Sequence, residues 1–554
     1  MTKRRTLLPG VFSFILWAAF AQPGLIETAL AAAFFLIVPA VLILSAVSFP
    51  GRADVCWFAA AWSGALSMML DTEVSAALLA AVWFLFTGYT AWKGLIRWMA
   101  RGMAPLEETA VDAGLVYSVV GGVWFVLSRA GSASWLPYTD VIVDLTAVHF
   151  HYAAFLLPVL TGALGRYHFR YHASGSRFSY RVLTAGVLSG PVLTAVAVDQ
   201  GPPLEAVLVG IYVVFLYWFA AWSMKESFFM PLLSKITITV SSLVLLGTMT
   251  LSILYSTGRA IGYQIIGIAE MIPWHGAWNA FAFSTIALIG WAVVSPDPRA
   301  VYASFPISGI RGKARIAEKM EQNQPLKETD GLISSWDLYA GERFHPEKLD
   351  PLVSAFHTHT KQYRMKADIQ WRFSFMYRVS SFFTGKIKQL NIPASGKREI
   401  NGNVYKMEKS EDGHAAPRVW IRSLADTGRP VFTAVYGCHR KEEVTYFNIA
   451  LPLPAGVMTG ILRPEHKEDG ALVLTSRKQP DLRGDEGIYV TIGRWTWKTP
   501  LQETFHMHQT KENQLKADHT MTIGRFRFLT ITYHLPLVEH QEKRHDGAER
   551  FEDV

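Results

Sequence analysis

Ten stretches of mainly apolar residues dominate the first 298 positions, and they set what this chain can fold into. They run Leu7–Ala21, Leu25–Val47, Val55–Leu70, Val74–Trp92, Ala110–Ser128, Val141–Leu164, Val182–Val198, Leu204–Met224, Ile236–Tyr255 and Ile265–Val294. A bilayer core of about 30 Å takes about 20 helical residues, and lipid leaves no backbone polar group a partner outside the helix. The expected fold is therefore an α-helical polytopic membrane bundle of about ten transmembrane helices over residues 1–298.

Charge divides the chain at the same point. Before residue 299 there are 15 Lys and Arg against 14 Asp and Glu; from 299 onward there are 38 against 31. Alternate loops collect Lys3, Arg4 and Arg5; Arg52; Lys93, Arg97 and Arg101; Arg166, Arg170, Arg177 and Arg181; and Lys225 and Lys235. The opposite loops hold only Arg129 and Arg259. Positive residues stay on the cytoplasmic side, so both termini are expected inside. Lys3-Arg4-Arg5 followed by a short apolar run and Ala19-Phe20-Ala21 also has the form of a cleavable signal peptide, which leaves the other nine spans oriented the same way. Trp92–Met103 reads as an interfacial anchor, and Glu107, Glu108 and Asp112 as acids suited to a helix N-terminus.

The tail changes period. Residues 299–345 are punctuated by Gly and Pro and read as a linker with a short helix over Lys313–Gln322. Residues 346–540 carry short alternating segments between turn signals, about eleven of them, including Gln370–Val379, Gly385–Asn391, Arg418–Leu424, Val444–Leu451 and Glu503–His508. This pattern predicts a cytoplasmic all-β or β-rich domain shaped as a barrel, sandwich or curved sheet. Residues 541–554 have the composition of a disordered tail. The basic tail can contact anionic lipid, each well-placed Lys or Arg contributing roughly 1 kcal/mol. No clustered basic helix or nucleic-acid motif is present, so the bilayer is the expected partner and nucleic acid is not. Cys56 and Cys438 fall in different domains and form no disulfide framework.

At Thr146–Gly162 (TAVHFHYAAFLLPVLTG), Pro273–Phe281 (PWHGAWNAF) and Gly341–Val353 (GERFHPEKLDPLV), the chain resembles the YndJ-like family of Bacillus membrane proteins. The resemblance runs through both halves. It implies a bacterial plasma-membrane protein, loosely labelled a transporter in places, and carries over no catalytic or binding residue.

Ionisable groups at membrane depth are expensive and mark candidate sites. The sixth span offers Asp144, His149 and His151, the tenth Glu270, His275 and Asn279. Asp144 and His151 are two helical turns apart and share a face, whereas His149 lies about 200° around the helix from His151. The two imidazoles therefore serve different neighbours, or the helix is distorted between them. His275 and Asn279 stack one turn apart, and Pro273 and Gly276 permit a local break. Both spans enter from the outer side, so the six residues are candidates for a substrate or proton site in the outer half of the bundle. Interhelical hydrogen bonding is the alternative role, worth about 0.6 kcal/mol each. The cofactor is left open, and no metal site is complete. His506 and His508 share one strand face without a third ligand, and Cys438-His439 point to opposite faces. Trp83, Trp124 and Trp291 read as packing residues. There is no P-loop, HExxH, GxSxG or CxxCH motif.

Polytopic form, buried titratable groups and the missing nucleotide motif favour a secondary transporter or permease using the Asp/His site. The competing readings are a sensor or scaffold whose β-rich tail binds a lipid or apolar ligand, and a metal- or haem-dependent membrane enzyme using His149, His151 and His275. Whether the chain is an enzyme, and its oligomeric state, stay open at this level.

Overall fold

A computed structural model describes residues 3–49, 52–172, 176–299, 305–312, 327–387, 389–407, 414, 417–479 and 484–538. The expected helix at Lys313–Gln322 and the tail at 541–554 lie outside the described residues. Contacts divide the chain into two units, Met1–Ala300 and Val301–Val554.

The first unit contains ten helices among the described residues: α1 (Lys3–Ala21), α2 (Leu25–Ser45), α3 (Ala53–Ser67), α4 (Val74–Arg101), α5 (Leu106–Arg129), α6 (Asp140–Tyr171), α7 (Arg177–Gln200), α8 (Leu204–Ser227), α9 (Leu232–Ala260) and α10 (Ile268–Val294). Each covers one of the ten apolar runs. Eight are long and apolar enough to cross a membrane; α3 has 15 residues and the apolar part of α1 is Thr6–Ala21. Three helices widen into π turns, at Ala33–Ile37, Tyr152–Leu156 and Ile272–Phe283. A proline stands at the second position after each of these widenings begins or ends, at Pro39, Pro158 and Pro273, where a lost N–H is easily absorbed.

Lipid offers no hydrophobic drive for helices to associate, so close backbone approach and polar pairing hold such bundles together. Gly94 of α4 and Gly162 of α6 provide that approach: a Cβ at Gly94 would lie 2.8 Å from the Asp112 carbonyl oxygen, and one at Gly162 2.6 Å from that of Glu107. Both contacts converge on the first turns of α5. There Glu108 bonds Arg97 (2.9 Å) and, through both carboxylate oxygens, Arg166 (2.7 and 2.8 Å), while Asp112 pairs with Arg97 and Arg101. Arg166 also donates to the carbonyls of Leu44 and Ser45, the last residues of α2, and the Arg299 N–H donates to Glu108. Glu108 and Asp112 are completely buried. This corrects two sequence expectations. Arg97 and Arg101 do not serve as interfacial anchors and Glu108 and Asp112 are not merely helix-start acids, because four helices bury them against one another.

The second unit is antiparallel throughout. Its strands are β1 (Lys327–Glu328), β2 (Met365–Trp371), β3 (Gly396–Lys406), β4 (Arg418–Leu424), β5 (Pro430–Lys441), β6 (Val444–Pro452), β7 (Gly456–His466), β8 (Leu472–Thr475), β9 (Gly487–Ile492), β10 (Trp495–Lys498), β11 (Leu501–Gln509), β12 (Leu515–Ile523) and β13 (Phe526–Leu535). Ten close a barrel in the order β7-β6-β5-β4-β3-β2-β13-β12-β11-β8, and β8 returns to β7. The hairpin β9–β10 shares that edge of β7, and β1 pairs with the end of β3. Closure removes the unpaired sheet edges that would otherwise template aggregation.

Alternation sorts the side chains. Trp420 and Leu424 of β4, Tyr436 of β5, Phe447 and Ile449 of β6, and Leu529, Ile531 and Tyr533 of β13 share the inner core. Their neighbours Val419, Val435 and Ala450 pack on the outside. The expected strands at Gln370–Val379 and Gly385–Asn391 are corrected: β2 ends at Trp371 and helix α12 (Ser374–Ile387) follows, after the shorter α11 (Pro351–Thr358). The sequence SFMYRVSSFF suits either period, and its apolar residues gather along one helical face. Residues 332–344, expected as linker, contribute Leu332, Ile333, Trp336, Tyr339 and Phe344 to the barrel core.

Candidate functional site

Of the six candidates in the membrane half, His151, Asp144 and Glu270 sit in separate local settings, while His149, His275 and Asn279 come together. His151 is buried to 1% exposure, and both ring nitrogens are used. Nε2 accepts from the Trp83 indole at 2.9 Å, and Nδ1–H donates to the Ala147 carbonyl at 2.8 Å. Trp83 and Phe34 pack against the ring. With no lone pair to spare, His151 is not placed as a metal or haem ligand. Asp144 accepts from Ser128. Glu270 is exposed and accepts from the Gly267 N–H at 2.9 Å, closing the start of α10.

His149 and His275 are the pair that meets. Their rings stack at 6.3 Å between centroids. His149 bonds the Leu145 carbonyl, while His275 Nδ1 lies 3.0 Å from both the Thr248 carbonyl and the Ser252 hydroxyl of α9. Asn279 accepts from the Thr248 hydroxyl and donates to the His275 carbonyl, a bond that the π-helical backbone there leaves available. His149, His275, Asn279, Thr248 and Ser252 thus form one polar seam between helices.

The barrel interior holds a second grouping. Arg422 projects inward from β4, beside a register shift at Arg422/Ser423, and is 4% exposed. Its guanidinium lies over the Phe432 ring (3.4 Å) and the Trp420 ring (4.0 Å), and Tyr436 and Tyr533 line the same cavity wall beside it. Burial raises both phenols above their ordinary pKa, so they stay protonated. Among the described residues no carboxylate pairs with Arg422, and its Nε has no hydrogen-bond partner. The interior acid Glu503 is engaged by His519 Nε2 at 3.2 Å.

Two cavities, of about 60 and about 100 Å³, share Arg422, Tyr436, Tyr533, Ile449 and Phe505 as lining. The remaining walls are largely apolar, from Leu472 and Leu474 on one side to Leu390 and Met521 on the other, with His357 lining the smaller cavity and the Glu503–His519 pair the larger one. Apolar space with a few convergent polar groups is the usual form of a small-molecule site. The sequence signal for this site was one Arg alternating with apolar residues in Trp420–Leu424, which β-periodicity places indoors. It is not among the residues selected from sequence.

On the barrel's outer face, His506 and His508 stack at 4.9 Å, and Asp518 stands opposite His506 on β12. A third group of ligand type, absent from the local spacing, thus stands across the sheet. Cys438 faces the core and its thiol is raised by burial, whereas His439 faces outward to Asn448 and Asp485. The two do not form a nucleophile–base pair.

A bundle of apolar helices joined to a ten-stranded barrel defines a polytopic membrane protein with a β-rich C-terminal domain. Residues 28–283 match the family model described as YndJ-like protein. The chain is 32% identical over 501 residues to the "Uncharacterized membrane protein YndJ" of Bacillus subtilis (strain 168), with 88% of each covered. It belongs to the YndJ-like family. No solved structure matches it.

Proposed function

We propose that the barrel is a binding module for a single-chain amphipathic anion, a fatty-acid-like molecule with one carboxylate or phosphate head, held at the cytoplasmic face of a bacterial plasma membrane. The observation that carries this is Arg422: a buried cation with two phenolic hydroxyls beside it and, among the described residues, no carboxylate paired with it, where two largely apolar cavities meet. A buried charge left without a counter-charge is costly, and an anionic head would supply one with bidentate geometry. The narrow lobes on either side suit an alkyl chain.

Helix α12 supports a lipid source. Phe375, Val379, Phe382 and Phe383 are exposed on it, with Arg372, Arg378 and Lys386 nearby, the amphipathic pattern of a helix that lies in an anionic interface. Purified full-length protein in nanodiscs should bind a fluorescent fatty-acid probe saturably, and Arg422→Met should weaken binding at least tenfold, as expected for loss of one buried charge-assisted contact of roughly 1.5–3 kcal/mol. Saturable binding that is unchanged in Arg422→Met would refute the reading, as would a folded wild type that binds no probe.

The polar seam of His149, His275 and Asn279 favours a second reading, a permease in which these groups pass a proton or a small polar solute between α6, α9 and α10. Proteoliposomes should then dissipate an imposed pH gradient faster than empty vesicles, and His275→Ala should remove the difference.

A further inference from the structure

At the end of the bundle carrying the Lys- and Arg-rich loops, α6 and α8 bring together a cluster that neither proposed function uses. We propose that His168, His172 and Glu226 bind a divalent transition-metal ion, zinc or a cation of similar preference. His168 and His172 are four residues apart at the end of α6, one helical turn, so their imidazoles lie one above the other, with ring centroids 5.1 Å apart. Glu226 reaches them from the last turn of α8. Its Oε1 is 2.9 Å from His168 Nδ1 and its Oε2 3.7 Å from His172 Nδ1. One ligand atom from each residue lies within 4.8 Å of the others.

The surroundings favour a cation. Glu226 is 2% exposed, and among the described residues no Lys or Arg pairs with it. Its Oε2 and the Nε2 of His168, itself 8% exposed, are buried without hydrogen-bond partners. Two imidazoles and one carboxylate are the ligand set of open zinc sites, with further positions left for water or solute. The nitrogen and oxygen ligands of such a site stand about 2.0–2.1 Å from the metal, so the three side chains would draw inward on binding. The Trp222 indole donates to Glu226 Oε1 at 3.2 Å and packs edge-on to His168, which orients the carboxylate as outer-sphere partners do. His172, 43% exposed at its side chain, leaves a path for entry.

A hydrogen-bonded His–Glu pair without metal is the competing account, and metal content separates the two. Full-length protein without a histidine tag, in nanodiscs, would carry His506→Ala and His508→Ala so that the barrel's outer-face cluster cannot contribute. After chelator treatment and reloading with zinc, mass spectrometry of the metal should find close to one equivalent. Cobalt in place of zinc should give visible d–d bands. Glu226→Gln and His168→Ala should each abolish retention. If those variants fail to fold, His172→Ala, at a half-exposed position, should still weaken zinc binding at least about tenfold. A folded parent that retains no zinc overturns the proposal, and so does an affinity unchanged in His172→Ala.

Discussion

Replacing Glu108 by alanine should destabilise the membrane half more than any other single change among its polar residues. The carboxylate accepts four hydrogen bonds: one from Arg97, two from Arg166 and one from the Arg299 N–H. Without it, Arg97 retains Asp112, but Arg166 retains only the carbonyls of Leu44 and Ser45 and becomes a buried cation with no counter-charge. Removing one partner of such a pair costs about 3–5 kcal/mol, and since Glu108 is the one carboxylate paired with Arg166 among the described residues, its loss falls at the upper end. Since about 1 kcal/mol shifts the melting of a domain of this size by roughly 2–4 °C, thermal unfolding in detergent should fall by roughly 10 °C or more. Glu108→Gln, which keeps an acceptor, should lose less. Combining Glu108→Ala with Arg166→Met removes charge from both sides and should recover at least about 1 kcal/mol relative to additivity. The reasoning fails if Glu108→Ala melts within about 2 °C of wild type, or if the double variant is simply additive.

Two further outcomes follow from buried histidines. Burial of His357 beneath Trp336 and Phe447 pushes its imidazole down from 6.5 to about 4. The folded state therefore resists a proton that the unfolded chain accepts: its full stability is present above pH 6.5 and declines as pH falls towards about 4. The decline amounts to on the order of 3 kcal/mol. Hydrogen exchange of the α11 and β6 amides in the full-length protein, corrected for intrinsic rates, should show protection falling across that window, and His357→Gln should flatten the fall. In the bundle, His151→Phe should cost about 1–3 kcal/mol by leaving the Trp83 N–H unpaired, while proton flux and metal content stay at wild-type values. A change in either readout would mean that His151 does more than support Trp83.

Much of the architecture was legible because the physics behind it is local. Ten apolar runs give ten helices, since a backbone in lipid must bond within its own segment, and period-two alternation gives β-strands wherever a sheet has a wet and a dry face. The 200° separation of His149 and His151 follows from helical geometry alone, and in the structure they do face Leu145 with His275 and Trp83 with Ala147, respectively. Partnership is another matter. Nothing along the chain says that Arg166 will find Glu108, 58 residues away, or that the ends of α2 will offer it two carbonyls. The spacing of Arg97 and Arg101 on one side of a short loop and Glu108 and Asp112 on the other was a usable hint, since both pairs sit one turn apart on helices that must turn back on each other. Likewise Glu226 meets His168 and His172 only because α8 packs beside the end of α6, and Asp518 meets His506 only through strand register. Local pattern was enough for the ten membrane helices and most of the strands, though not for α12, which reads as strand, and it marked which residue types are costly to bury. Tertiary structure alone decided which costs are met by a neighbour, as for Glu108 and His151, and which remain open, as for Arg422 and Glu226, because burial energy depends on partners that the fold brings from afar.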